Sequence, residues 1–461
     1  MPIYIHNSLS RKKEEFLPLT PAVVNMYTCG VTVYDDCHIG HARSLYIFDV
    51  IRGYLKYRGF NVKFVRNITD IDDKIINRAN ELKTDWQELV KKYIARYYED
   101  LAALGVKKAD IEPRATENIK GMIAHINGLI SMGFAYEAGG DVYFDVRKFL
   151  SYGKLSGQSI DQMESGSRID PSELKKDPLD FALWKKSKPG EPFWPSPWGE
   201  GRPGWHIECS VMSTKYLQTD TLDIHAGGRD LIFPHHENEI AQAEALSGKP
   251  FAKYWIHHGL LTITGQKMAK SLGNFITIKD FLAKYKNADL LKLFFLTAHY
   301  SHPIDYTDEK IEEARKALER IVILMDKIDK LNVKAQGNKN IPEIEEIKKK
   351  FIEAMDDDFN TPQGLACVFE LVNLANKRID DADFLLSSKD TLIELLGIFG
   401  ISLAKKTDSG ESSTIEAKIN ERNRLKSEKK YSEADNIRKE LEAQGIILED
   451  SKSGTTWRRK L

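Results

Sequence analysis

A doubly wound α/β fold with a parallel, Rossmann-like sheet is predicted by the alternation of apolar, β-prone runs with helical spacing between about residues 23 and 300. Two departures from that rhythm predict the remaining architecture. Residues 110–202 carry short β-prone pieces and a Pro/Trp-rich loop, as expected of a connective insertion between two halves of the sheet. Beyond Tyr306 the apolar period becomes helical, as expected of a bundle.

Taken in order, residues 1–109 form the first half of the sheet domain. The run Val23–Thr28 is apolar, Cys29-Gly30 breaks it, and helical spacing resumes at Ala42. Residues 110–202 form the insertion and 203–306 the second half. In the bundle, 307–402, Ile311, Ala314, Leu318, Ile321, Met325, Ile328 and Leu331 recur at helical spacing, with further helices expected near 341–355, 362–378 and 391–399. Residues 403–413 are polar and aperiodic and predict a linker. A small terminal domain, 414–461, follows.

Composition limits the function classes. A chain of 461 residues exceeds one hydrophobic core, so several domains are expected. No apolar run reaches 18 residues and the N-terminus lacks a leader pattern, so a cytoplasmic enzyme without membrane contact is expected. Four cysteines in so long a chain are expected as free thiols. The net charge of -1 excludes a generally basic nucleic-acid binder, so any RNA contact must be local.

Two short words carry the chemistry. His38-Ile39-Gly40-His41 precedes a helix, where free backbone NH groups and the helix dipole favour an anion, and Gly40 leaves room for a flat base or ribose. Lys267-Met268-Ala269-Lys270-Ser271 supplies ammonium groups from the other end of the fold. Together they predict one ATP site, in which His38, His41, Lys267 and Lys270 stabilise charge developing on phosphorus. Gly40 and Ser271 are expected to contact the nucleotide.

The chain resembles the cysteinyl-tRNA synthetases among the class I aminoacyl-tRNA synthetases. Matching segments begin with Tyr27-Thr28-Cys29-Gly30-Val31, Asn67-Ile68-Thr69-Asp70-Ile71-Asp72-Asp73 and Gly204-Trp205-His206-Ile207-Glu208-Cys209. They continue with Pro234-His235-His236-Glu237-Asn238-Glu239, Met355-Asp356-Asp357-Asp358-Phe359 and Thr455-Thr456-Trp457-Arg458-Arg459. Nearly the whole chain is covered. That family usually has serine as the third residue of the lysine loop, and here it is Ala269.

The resemblance implies that L-cysteine is activated by ATP with Mg2+ and transferred to tRNA(Cys) by a monomer. It implies one Zn2+ on Cys29, Cys209, His235 and Glu239. Read from the residues alone, His235 and Glu239 lie four apart and share a helix face, with Pro234 suited to the first helical position. Cys37 and His236 compete with Cys29 and His235 as ligands. Zinc prefers sulfur and acidifies a bound thiol, so one bond would separate cysteine from serine. Charge counting marks Glu239, the hard oxygen donor, as the ligand to loosen. The resemblance also places Thr69, Trp205, His225 and Asp230 around the cysteine, with Asp230 on its ammonium group.

RNA contacts are expected at the C-terminus, where residues 418–461 hold 12 Lys/Arg against 8 Asp/Glu. Arg422, Lys426, Arg438 and Arg458 alternate with Tyr431 and Trp457, offering phosphate contacts and stacking faces. By resemblance Asp435 and Asp450 accept hydrogen bonds from base edges. Two other functions compete: a cysteine ligase acting on an amino sugar, and a non-catalytic tRNA-binding relative. The first has no use for a basic tail. The second has no use for the paired histidines and lysines.

Overall fold

The computed structural model describes residues 1–160, 174–269, 272–330, 341–402, 409–451 and 454–459. The chain opens with an antiparallel hairpin of β1 (Tyr4–Asn7) and β2 (Lys12–Glu15). It then enters the central sheet through β3 (Val23–Thr28), crosses over by α1 (Ile39–Tyr57) and returns in β4 (Asn61–Arg66), parallel to β3. Helices α2 (Asp73–Leu82) and α3 (Trp86–Leu104) follow.

The insertion is antiparallel: α4 (Ile119–Ser131), then β5 (Ala135–Ala138), β6 (Asp141–Phe144), β7 (Phe181–Lys186) and β8 (Gly201–Pro203) in sequential order. After the helix Trp205–Leu217 the chain re-enters the central sheet in β9 (Leu222–Gly228) and β10 (Ala252–His258). The strand order is β10-β9-β3-β4, with every pairing parallel. Helices pack on the sheet and β9 is buried along its whole length, its polar Asp223 and His225 together with its apolar Leu222, Ile224 and Ala226. The order reverses between β3 and β9. That reversal opens a crevice at their C-terminal ends, where ligands of such sheets bind.

A small sheet completes this region. In it β11 (Leu261–Ile263) pairs antiparallel with β12 (Gln266–Lys267) and parallel with β13 (Ile304–Tyr306). The bundle helices are Asp308–Lys330, Pro342–Asp356, Thr361–Lys377 and Ala382–Ile398. The periodic residues from Ile311 to Ile328 are buried, and Leu331 lies outside the described residues. The last helix starts nine residues before the expected 391, because Asp381 accepts from the Phe384 NH and caps it, and Phe384 and Leu385 are buried. Cys367 is a core residue of the bundle, as its helical apolar setting predicts.

Residues Met1–Ile401 form one compact unit and Ser402–Leu461 a second. Within the second, the helix Ser409–Ser427 begins inside the expected linker, so residues 409–413 are helical, while 403–408 lie outside the described residues. The helix Tyr431–Ala443 and the hairpin of β14 (Ile446–Ser451) with β15 (Gly454–Arg459) close a core of Ile415, Ile419, Leu441, Ile446 and Leu448. No helix of the described residues is long and apolar enough to cross a membrane.

Candidate active site

The paired histidines cap the helix they precede. His38 is the N-cap of α1, its Nδ1 accepting from the His41 NH at 3.2 Å, while the His41 Nδ1 accepts from the His38 NH at 3.4 Å. The rings stack with centroids 3.7 Å apart. Each ring therefore commits Nδ1 to the backbone NH of the other residue. Burial, then His38 and Lys74, hold His41 well below the usual histidine range, so it is a neutral NH donor rather than a cation.

The lysine loop is seated against that helix. The Ile39 NH donates to the Ile276 carbonyl at 3.0 Å and the Ile278 NH to the Cys37 carbonyl at 2.9 Å, and Phe275 sets its edge on His38. Within the loop, Asn274 Oδ1 accepts from the Ala269 NH at 2.8 Å and its amide donates to the Lys267 carbonyl. These bonds use backbone, so Ala269 keeps the turn without a hydroxyl. Lys267 is exposed; Lys270 and Ser271 lie outside the described residues.

Four buried or half-buried donors converge at the crevice. One ligand atom from each of Cys29, Cys209, His235 and Glu239 lies within 4.8 Å of the others. Cys29 follows β3, Cys209 lies on Trp205–Leu217, and the turn Ile232–His236 with the helix Glu237–Ser247 carries the other two. His235 and Glu239 meet at 2.9 Å, though Pro234 sits inside that preceding turn and not at the first helical position, because Phe233 is extended. Two thiols, an imidazole and a carboxylate are a zinc donor set.

Cys37 is excluded from this cluster and lies buried beside Asp36 and Asp100. His236 remains close, its Nε2 3.2 Å from Cys29 Sγ, and a second grouping joins Cys29, His225, His236 and Glu239. The first grouping offers two sulfurs and the second one. Around the first, His206 shares a hydrogen bond of 2.9 Å with His235 Nδ1, leaving His235 Nε2 for the cluster, and Trp205 stacks on His235 at 4.0 Å.

Charge within the cluster is mutual. Burial opposes ionisation of Glu239, but His225 and His235 outweigh it and hold the carboxyl well below its ordinary value. Burial also disfavours charge on His235, yet Glu239 and Cys209 push it up to about 10. Cys29 is driven up by burial and by Cys209, whereas the Cys209 thiol is lowered against its burial by Cys29 and His235. Each of these groups is thus set by its neighbours in the cluster, and metal binding requires its thiols and imidazole to be deprotonated.

Of the expected pocket residues, Thr69 is buried after β4 and donates to Glu208 Oε2 at 2.7 Å. His225 Nε2 meets Glu239 Oε2 at 2.6 Å, so it contacts a donor of the cluster. Trp205 is half-buried, and Asp230 is exposed in the turn after β9. Sequence reasoning missed His206, Glu208, Tyr27 and Asn274. His206 stands three residues before Cys209 on a helix, a spacing that puts both on one face. Tyr27 precedes Cys29 by two on β3 and is kept protonated by burial, then by Cys209 and Cys29.

In the C-terminal unit the arrangement differs from expectation. Arg422 is wholly buried and bidentate to Asp450 at 2.9 and 2.8 Å, and Lys426 binds the same carboxylate at 2.8 Å. Arg422 is a strut of the domain, and Asp450 has three donors from its own unit when Thr455 is included. Tyr431, Asp435 and Arg438 are exposed at i, i+4 and i+7 of one helix face. Trp457 packs partly on the small core, and the Arg458 and Arg459 side chains are outside the described residues.

Residues 15–316 match the family described as tRNA synthetases class I (C) catalytic domain, and 350–404 the DALR domain. The chain is 49% identical over 468 residues to a cysteine--tRNA ligase of Anoxybacillus flavithermus, covering all of both chains. It is 50% identical to that of a Geobacillus species and 47% to that of Thermodesulfovibrio yellowstonii, each over 99% of both chains. Among solved structures, Mycobacterium tuberculosis methionyl-tRNA synthetase with methionyl-adenylate shares the fold at a TM-score of 0.62 and 14% identity, over 82% of this chain and 90% of that one. An Agrobacterium radiobacter LeuRS bound to tRNA does so at 0.61 and 12%, over 84% of each. Full-length identity near one half, with the catalytic-domain match over most of the first unit, places this chain in the cysteine--tRNA ligase family of class I synthetases.

Proposed function

We propose that the chain attaches L-cysteine to tRNA(Cys) in two steps at the crevice between β3 and β9. The cysteine carboxylate attacks the α-phosphorus of ATP and pyrophosphate leaves. The terminal ribose hydroxyl of tRNA then attacks the adenylate carbonyl and AMP leaves. No side chain of the protein need act as nucleophile.

The observation that carries the choice of cysteine is the buried S2NO cluster at the same strand ends as the paired histidines. Cys29, Cys209, His235 and Glu239 would hold zinc, which when bound supplies a sulfur-seeking Lewis acid that favours a thiolate over a hydroxyl. Trp205 fixes the His235 ring by stacking, and Thr69 closes the wall beside Glu208. Asp230, exposed at the end of β9, takes the α-ammonium group.

On the nucleotide side, His38 and His41 present Nε2 to the phosphates, with the α1 N-terminus behind them. Gly40 lets the nucleotide approach, and Lys267, Lys270 and Ser271 reach the leaving pyrophosphate of the Mg2+-bound ATP. The exposed face of Tyr431, Asp435 and Arg438, with Lys426 and Trp457, reads tRNA. The test is pyrophosphate exchange run with every amino acid. Exchange with cysteine and not with serine is expected; equal exchange with both would refute the assignment.

A further inference from the structure

We infer that Arg43 is a positioning residue that holds the lysine hairpin at its working distance from the paired histidines. The inference rests on the assignment of His38, His41 and Lys267 to ATP. Arg43 lies on α1 two residues after His41 and is wholly buried. Its guanidinium donates to four main-chain carbonyls: from one nitrogen to Gly259 at 2.7 Å and Leu260 at 2.9 Å, from the other to Tyr300 at 3.2 Å and His302 at 2.6 Å. No carboxylate is among these partners. Burial lowers its pKa only to about 10, so the charge persists at neutral pH.

A buried cation without a counter-ion is a costly way to fill space, and an apolar residue of the same length would fill it without that cost. The four carbonyls explain why the charge is kept. Gly259 and Leu260 lead directly into β11, whose hairpin partner β12 carries Lys267. Tyr300 and His302 lead into β13, the parallel neighbour of β11. One guanidinium thus gathers the entry ends of two strands of the sheet that presents the lysine loop.

Backbone proximity makes this reach possible. A β-carbon on Gly259 would lie 2.2 Å from the His302 carbonyl, so only glycine lets the two chains run close enough for one planar group to serve both. The Gly259 NH also donates to the Tyr300 carbonyl at 2.8 Å. At the far end of the same segment, the bonds of Ile39 and Cys37 to Ile276 and Ile278 fix the exit of the loop. Arg43 fixes its entry. Both anchors belong to α1 or the residue pair just before it, so the histidines and Lys267 share one frame.

The test uses the full chain with Arg43→Met, Arg43→Lys and, as a control, Tyr46→Phe, which removes a buried hydroxyl of the same helix that is bonded to the Phe399 carbonyl and touches none of the strands Arg43 gathers. Cysteine-dependent pyrophosphate exchange is measured over ATP and cysteine concentration, with zinc content and thermal melting alongside. Arg43→Met is expected to lower kcat about 100-fold, the scale for a misplacement of about 1 Å, with KM for cysteine and zinc content within about twofold of the parent. Arg43→Lys, keeping the charge but reaching fewer carbonyls, is expected to recover part of that loss, and Tyr46→Phe to retain kcat.

Parental kcat in a folded Arg43→Met overturns the inference. So does a joint loss of kcat, cysteine affinity and zinc, which would mark a general packing role. If Arg43→Met fails to fold, Arg43→Lys decides: the inference requires reduced kcat at unchanged cysteine KM. Absence of cysteine-dependent exchange in the parent would instead refute the function from which the inference starts.

Discussion

A β-carbon added to Gly40 would lie 2.9 Å from the His38 imidazole, and 3.5 Å from the Met268 methyl group of the lysine loop. The ring cannot swing away freely, because its Nδ1 caps α1 through the His41 NH. Gly40→Ala is therefore expected to cost about 1 kcal/mol of stability through the disturbed cap. Adenylate formation should fall more, by about 10-fold to 100-fold, since both histidines move. Single-turnover kinetics beside a urea melt separates the two effects.

The metal site gives a second prediction. About one zinc per chain is expected by elemental analysis, and Cys209→Ala or His235→Ala should remove the metal together with cysteine activation. His225→Phe should act less directly: it strips the 2.6 Å partner from Glu239 Oε2, so zinc affinity is expected to drop about 10-fold to 100-fold. Fully active protein without zinc would contradict the S2NO assignment.

For the lysine loop, Lys270→Ala is expected to slow adenylate formation by at least ~100-fold. Ala269→Ser should change it far less, because the loop is held through the Ala269 NH and Asn274. Asn274→Ala, which deletes the bonds to both Ala269 and Lys267, is expected to fall between them. Rapid-quench measurement ranks the three, and a larger effect at 269 than at 270 would reverse the assignment.

Asp100 makes a pH prediction. Burial, then Asp36 and Glu99, raise its carboxyl to about 7, with Arg96 and Lys279 opposing. A folded pKa above the unfolded one means the native state binds the proton more tightly, so this group's contribution to stability falls as pH rises from about 4 toward 7. Asp100→Asn should be near neutral at pH 4 and stabilising at pH 8. After allowance for solvent screening the gain is about 1 kcal/mol. Chemical denaturation at the two pH values checks the sign.

Removal of residues 402–461 should leave cysteine-dependent pyrophosphate exchange nearly intact, since Met1–Ile401 is a compact unit of its own. Charging should suffer, because each lost stacked base is worth about 1–3 kcal/mol. Exchange and aminoacylation rates, compared in the truncated protein with circular dichroism as the fold check, distinguish the two roles. Equal loss of both would show that the second unit supports catalysis.

What the sequence determined by itself is local. The period of its apolar residues marks the parallel strands and bundle helices, and the break at Cys29-Gly30 followed by helical spacing places His38 at the start of α1. His235 and Glu239 were legible as a pair because a four-residue separation on one helical stretch brings side chains together. Cys29 and Cys209 could be joined to them only by resemblance. Their sulfurs meet at 3.7 Å because β9 returns beside β3, a long-range pairing that no local pattern encodes.

The tertiary structure decided the rest, for the same reason. Arg43 reads as an ordinary helical cation until the fold brings four carbonyls from residues more than 200 positions away onto its guanidinium. Arg422 and Asp450 read as a basic and an acidic surface residue until the hairpin folds back and buries the arginine against the carboxylate. Charge type follows from sequence. Whether a charge faces solvent, a ligand or its own backbone depends on contacts between distant segments, which only the folded chain supplies.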